Sequence, residues 1–182
     1  MGAGRARTPT LMPRVKLVIL DLDKTVWDHP DPSLLREPLK KVDSDTVVDS
    51  EGVEVHLYHG VRETLEALQQ RGVVVSVASW NRPEVGFKLL GMFGIERYLR
   101  HPKIQPHPAK HLMIRELLEE LKGENLPLRP EEILYVDDRT LHLEAIRREI
   151  GNVRFLQMGV DIRRLEELIR YIDSPDITDF PK

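Results

Sequence analysis

The sequence predicts a single α/β domain in which helices cover both faces of a central parallel sheet. Three observations carry that expectation. Short apolar runs rich in β-branched residues recur at residues 15–20 (VKLVIL), 73–78 (VVVSVA) and 132–136 (EILYV), the pattern of strands buried on both faces. Segments with helical periodicity alternate with those runs, as in βαβ units. The 182 residues, 41% hydrophobic and 31% charged, suit one globular core and leave no room for two.

Taken in order, residues 1–14 are small and basic with no apolar signal core behind them, and are expected to be a disordered leader. Residues 15–20 form the first strand, stopped by Asp21. Residues 26–44 contain Pro30, Pro32 and Pro38 and are expected to be irregular. Residues 45–49 and 52–58 alternate apolar and polar side chains around Ser50-Glu51-Gly52, which predicts a β-hairpin. Together, residues 26–60 form a flap inserted into the domain. Val61, Leu65 and Leu68 set a helix over 61–71 that Gly72 ends.

After the strand at 73–78, Pro83 opens a helix running to Phe93. A short strand is expected at 98–100, a proline-rich loop at 102–108 and an amphipathic helix at 109–122. The strand at 132–136 leads to a helix over 140–150, a strand at 153–157 and a helix over 161–172. The domain is expected to span 15–172, with 173–182 a polar tail.

Composition excludes several classes. There is no cysteine, hence no disulfide framework, thiolate zinc site, iron–sulfur cluster or cysteine nucleophile, and the chain suits a reducing cytoplasm. Lys and Arg number 27 against 30 Asp and Glu, a net charge of −3, so no global basic field invites nucleic acid. The apolar runs are strand-sized, far short of the ~20 residues that cross a bilayer, so no membrane association is expected. Seven histidines include His101, His107 and His111 near one another in sequence, but no HExxH pair exists and a zinc site is not the favoured reading.

In open parallel sheets, ligands bind beyond the carboxyl ends of the strands. Here those ends carry Asp21-Leu22-Asp23-Lys24-Thr25, Ser79-Trp80-Asn81 and Asp137-Asp138, with Lys110 at a helix start between the last two. A parallel sheet would gather four carboxylates, a hydroxyl and an ammonium into one crevice. Carboxylates so close raise one another's pKa unless a cation intervenes, and an oxygen donor set shared with phosphate favours Mg²⁺. The bland alternative is that Asp137-Asp138 merely caps the following helix and that Asp21 and Asp23 are ordinary loop acids.

These residues resemble the haloacid-dehalogenase (HAD) superfamily. Asp21-Leu-Asp23-Lys-Thr25 matches its DxDxT signature, and Ser79, Lys110 and Asp137-Asp138 match its second, third and fourth motifs in order. The run Leu20–Trp27, the early hairpin and the Asp-Asp pair are most similar to its magnesium-dependent phosphatases. The resemblance covers residues 15 to about 158 and implies a Rossmann-like fold. It also implies that Asp21 is a nucleophile forming an aspartyl-phosphate, and that Asp23 is the general acid and base. Ser79, Lys110, Thr25, Trp80, Asn81 and Trp27 would serve the phosphate and substrate. Mg²⁺, with Mn²⁺ as an alternative, would be held by Asp21, the backbone carbonyl of Asp23 and Asp138, with Asp137 exchangeable for Asp138. Lys103 is the competing candidate for the phosphate lysine.

Neither residues 26–78 nor 80–109 leave room for a large cap domain once the core elements are placed, so an open site is expected. It would accept a phosphotyrosine protein or a sugar phosphate, with Trp27, His29, His56 and Tyr58 as flap contacts. Trp80, and His142 after the fourth motif, depart from the polar residues usual in such relatives. The alternatives are a nucleic-acid 3′-phosphatase on the same scaffold, a non-catalytic phosphate-binding scaffold, or a phosphoacceptor module. The last would place its acidic pair early rather than late.

Overall fold

The computed structural model describes residues 13–174 and 181. Most of the expected leader and of the polar tail therefore lies outside the described residues. Among the described residues, eight strands form two sheets, accompanied by five α-helices. The main sheet has five parallel strands: β1 (Leu17–Leu20), β5 (Val74–Trp80), β6 (Lys103–Gln105), β7 (Ile133–Asp137) and β8 (Arg154–Gln157), in the order β6-β5-β1-β7-β8. β1 lies at its centre, with Leu17 opposite both Val74 and Ile133.

Alternation along the strands divides the core into two layers. Val18 and Leu20, with Val75, Val77, Leu134 and Val136, pack on one face against α1 (Val61–Gln70), α2 (Pro83–Met92) and α5 (Leu168–Asp173). Leu17, Ile19, Ile133 and Tyr135 pack on the other against α3 (Lys110–Gly123) and α4 (Leu143–Glu149). The chain winds outward from β1 to β5 and β6, then returns through α3 to β7. This makes β1 the switch point where a ligand crevice opens.

The flap is a three-stranded antiparallel sheet, not the two-stranded hairpin expected. β2 (Lys40–Asp43) joins β3 (Thr46–Val48), which pairs with β4 (Glu54–His56). All four β2 residues are exposed, so no apolar alternation marks the strand in the sequence. The flap is tied down: Val47, Val55 and Leu57 enter the core, and Tyr58 N–H donates to Val26 O at 2.9 Å.

Three other expectations need correction. The edge strand is Lys103–Gln105, inside the expected proline-rich loop, whereas Glu96–Tyr98 is a 3-10 turn. β6 shows only one buried residue, Ile104, too little to register as a pattern. The last helix, α5, begins at Leu168, seven residues after the expected start, and is preceded by a 3-10 turn at Leu165–Glu167. Asp161 instead folds back to accept from Gln157 N–H at 2.7 Å, and Ile162 bridges to Met158. Likewise α4 starts at Leu143 rather than Thr140.

Candidate active site

The parallel sheet brings the ends of β1, β5 and β7 to one edge, and the side chains there meet. Asp21 follows β1 directly and extends the ladder, its N–H donating to Val136 O at 2.8 Å. Lys24 then takes a left-handed conformation (φ 61°) that turns the chain back, so that Asp23 and Trp27 bridge. The turn sets Trp27 Nε1 to donate to Asp23 Oδ1 at 2.9 Å. Asn81 Nδ2 donates to the other oxygen, Oδ2, at 3.3 Å. Asp23 is thus held from both sides.

Lys110, the first residue of α3, is 1% exposed. Its ammonium donates to Asp21 Oδ1 at 2.7 Å and to Asp137 Oδ2 at 2.9 Å. Asp137 also accepts from the Tyr135 hydroxyl and, at 3.0 Å, from the Arg139 backbone N–H. Lys103 is directed away, pairing with Glu120 at 2.7 Å. Ser79, Thr25 and His142 are buried, and among the described residues neither the two hydroxyl oxygens nor His142 Nε2 has a hydrogen-bond partner.

Charge is concentrated here. Burial pushes the Asp21 carboxyl well above the usual range against the pull of Lys110, with the Asp137 charge adding to the rise. Burial would raise Asp137 too, but Lys110, Tyr135 and the Arg139 N–H together hold it below its ordinary value. Lys110 is desolvated, yet its two carboxylate partners outweigh that and keep it raised. Burial, opposed by the Trp27 bond, lifts Asp23 to about 7. Burial and Asp137 together raise Asp138. Burial, then the Lys110 charge, lowers His142 to about 4.

Carboxylate oxygens of Asp21, Asp137 and Asp138 lie within 4.8 Å of one another, three acids against one ammonium. A hard divalent cation fits this all-oxygen set and its excess negative charge. A crevice of about 150 Å³ lined by Asp21, Asp23, Lys110 and Asp138 continues into a cleft of about 420 Å³ beside Trp80 and Asn81.

The expected flap contacts are placed otherwise. Trp27 is fully buried, so it reaches the site only through Asp23 and not through substrate. His56 is paired with Asp28 at 2.7 Å, and Tyr58 lines a different cavity. The flap residues at the cleft are Pro30, Asp31 and Ser33. His29 holds the Asp31 N–H at 3.0 Å instead. Of the three histidines considered for zinc, His101 pairs with Glu124 and Glu120, while His107 bonds to Gln105. Arg82 and Arg139 escaped notice in the sequence, although each directly follows a motif residue.

Comparisons with known proteins bear on the family and the fold. A family model described as Acid Phosphatase matches residues 13–156. No curated protein matches in sequence. Among solved structures, a predicted phosphoglycolate phosphatase from Haemophilus somnus is 16% identical, with TM-score 0.59. The match covers 88% of this chain and 99% of that one. The N-terminal, phosphatase-domain part of a Bacteroides fragilis protein, complexed with Mg, is 15% identical with TM-score 0.59, covering 93% and 41% of the two chains. The 3-deoxy-D-manno-octulosonate 8-phosphate phosphatase of Moraxella catarrhalis, in complex with magnesium, phosphate and KDO, is 20% identical with TM-score 0.51, covering 82% and 72%. Among the described residues, no helix is long and apolar enough to cross a membrane. With most of its length matched by that model and its strand-end acids gathered in one crevice, the chain belongs to the acid phosphatase family, and it shares its fold with the solved phosphatase structures above.

Proposed function

We propose that this phosphatase hydrolyses phosphomonoesters in a Mg²⁺-dependent reaction that passes through an aspartyl-phosphate at Asp21. The observation that carries the reading is the junction of Asp21, Lys110 and Asp138 in one crevice, with Asp23 on its rim. A carboxylate oxygen of Asp21 attacks phosphorus while the bond to the leaving oxygen breaks. Asp23 gives that oxygen its proton, and the alcohol departs. Water then attacks the phosphoryl group and loses its proton to Asp23. The bond from phosphorus to Asp21 breaks, phosphate leaves and both acids return to their starting state.

Lys110 serves as the fixed cation for the phosphoryl oxygens, and the unpaired hydroxyls of Ser79 and Thr25 are donors in reserve. Asp137 already accepts from Lys110, Tyr135 and Arg139, which supports Asp138 as the direct metal ligand and Asp137 as the anchor of Lys110. Asp21, Asp138 and the backbone carbonyl of Asp23 would hold Mg²⁺, which lessens the repulsion between carboxylate and phosphate. Among the described residues no helical lid covers Asp21, which supports an open site.

Hydrolysis of p-nitrophenyl phosphate, with Mg²⁺ or EDTA, tests the reading in wild type, Asp21→Asn and Asp23→Asn. Metal-dependent turnover lost in Asp21→Asn and strongly reduced in Asp23→Asn is expected. Full activity in Asp21→Asn would overturn the nucleophile assignment.

A further inference from the structure

The leaving group of a phosphomonoester needs a place, and geometry selects it. A leaving oxygen must lie within hydrogen-bond reach of the acid that protonates it. Asp23 borders both the small crevice and the cleft of about 420 Å³. The larger cavity beyond Asp138, about 580 Å³, is lined by Lys24, Thr25 and Tyr58 and does not reach Asp23. The alcohol part of the substrate therefore extends along the Trp80 side.

Three side chains set the chemistry there. Trp80 follows the buried Ser79 on β5 and, by strand alternation, leaves the core; it is 48% exposed at the cleft wall. An exposed indole offers a flat face for a ring to stack on. Arg82 precedes α2 and Arg139 follows Asp138. Both are exposed, and neither makes an ion pair with another described residue. Arg82 Nη1 donates only to Ser33 O, at 3.2 Å. The two acids in the same lining are engaged elsewhere. Asp23 lies between Trp27 and Asn81, and Asp31 accepts from Ser33 N–H at 3.1 Å to cap a 3-10 turn. Two guanidinium groups beside an open aromatic face form a receptor for a flat anion.

We infer that the substrate is a phosphomonoester whose alcohol part lays a flat ring against Trp80 and presents a second anionic group, carboxylate or phosphate, to Arg82 and Arg139. This rests on the phosphatase reading above.

The test measures kcat/KM with Mg²⁺ for ethyl phosphate, phosphoglycolate, phenyl phosphate, 4-carboxyphenyl phosphate and 1,4-phenylene bisphosphate. Each variant is compared with wild type on the same substrate, which cancels intrinsic leaving-group reactivity. Ratios between substrates within one variant also cancel its folded fraction. Arg82→Gln should lose about tenfold more activity on 4-carboxyphenyl phosphate than on phenyl phosphate, the worth of one charge-assisted hydrogen bond. A similar excess loss on the bisphosphate would assign the second anion to either group; an excess on one alone would identify it. Trp80→Ala should lose about fivefold more on the three aryl esters than on the two aliphatic ones. Equal losses across all five substrates, or no differential loss in either variant, would overturn the inference while leaving the phosphatase reading intact. If wild type turned over none of the five, the phosphatase reading would fail and this inference with it.

Discussion

Replacing Lys110 by methionine removes the ammonium that faces Asp21 and Asp137 while keeping a chain of similar length. Its Nζ lies 2.7 Å and 2.9 Å from the two carboxylates, whose side chains are 7% and 0% exposed. Removing one partner of a buried pair costs about 3–5 kcal/mol, because the surviving charge is left desolvated and alone. Protonation limits that cost, since burial already pushes Asp21 well above the ordinary carboxyl range. The lower end, about 3 kcal/mol, is expected at pH 7 in EDTA, which for a domain of this size lowers Tm by roughly 6–12 °C. A divalent cation on the same acids would restore part of the missing positive charge. Saturating Mg²⁺ should therefore raise the urea midpoint more in Lys110→Met than in wild type. Loss of the cation that faces the phosphoryl group should also lower kcat/KM by about 10²-fold or more. Melts and steady-state kinetics of both proteins, with and without Mg²⁺, supply the comparison. A variant as stable as wild type in EDTA, with an equal response to Mg²⁺, would refute the electrostatic account of this cluster.

Two further outcomes follow from neighbouring residues. Trp27→Phe deletes the donor to Asp23 and a little core volume, and should cost about 1–3 kcal/mol. Its activity loss should be about tenfold on ethyl phosphate, whose leaving oxygen needs a proton, and much smaller on p-nitrophenyl phosphate. Equal losses on both would leave Trp27 a packing residue alone. His142 is buried and held near 4, below its ordinary 6.5, so the unfolded chain takes up a proton first as pH falls. Folding stability from this group is full above pH 6.5 and declines between about 6.5 and 4. The decline amounts to about 1–3 kcal/mol after discounting for partial solvation. Urea melts of wild type and His142→Leu across that range should show a flatter profile for the variant, and parallel profiles would contradict the assignment.

The parallel sheet was legible because β1, β5 and β7 are buried on both faces and so read as unbroken apolar runs that end in acid or hydroxyl. The acids at those ends could be ordered along the chain, but their contacts could not. That Lys110 rather than Lys103 faces Asp21 depends on where α3 begins relative to β6, a three-residue strand with one buried side chain. β2 was invisible for a related reason: its side chains are solvated, and it is paired to β3 through the backbone. Residues 161–164 misled because Ile162, Leu165 and Leu168 carry helical spacing, while Asp161 bonds backward to Gln157 and keeps the first turn open. Trp27 could be placed near the site, but the hydrogen bond that gives it a role needs the left-handed turn at Lys24. Arg82 and Arg139 sit beside motif residues, yet only the folded edge brings them to one cleft.

The central claim is that phosphate passes through Asp21. Rapid acid quench of Asp23→Asn after mixing with phenyl phosphate and Mg²⁺, followed by peptide mass analysis, tests it most directly. Slowed hydrolysis of the intermediate should leave one phosphoryl group, released by hydroxylamine, on the peptide that contains Asp21. No label should appear in the Asp21→Asn, Asp23→Asn double variant. A phosphoryl group on any other residue, or an unlabelled Asp23→Asn enzyme that still turns over, would contradict the account.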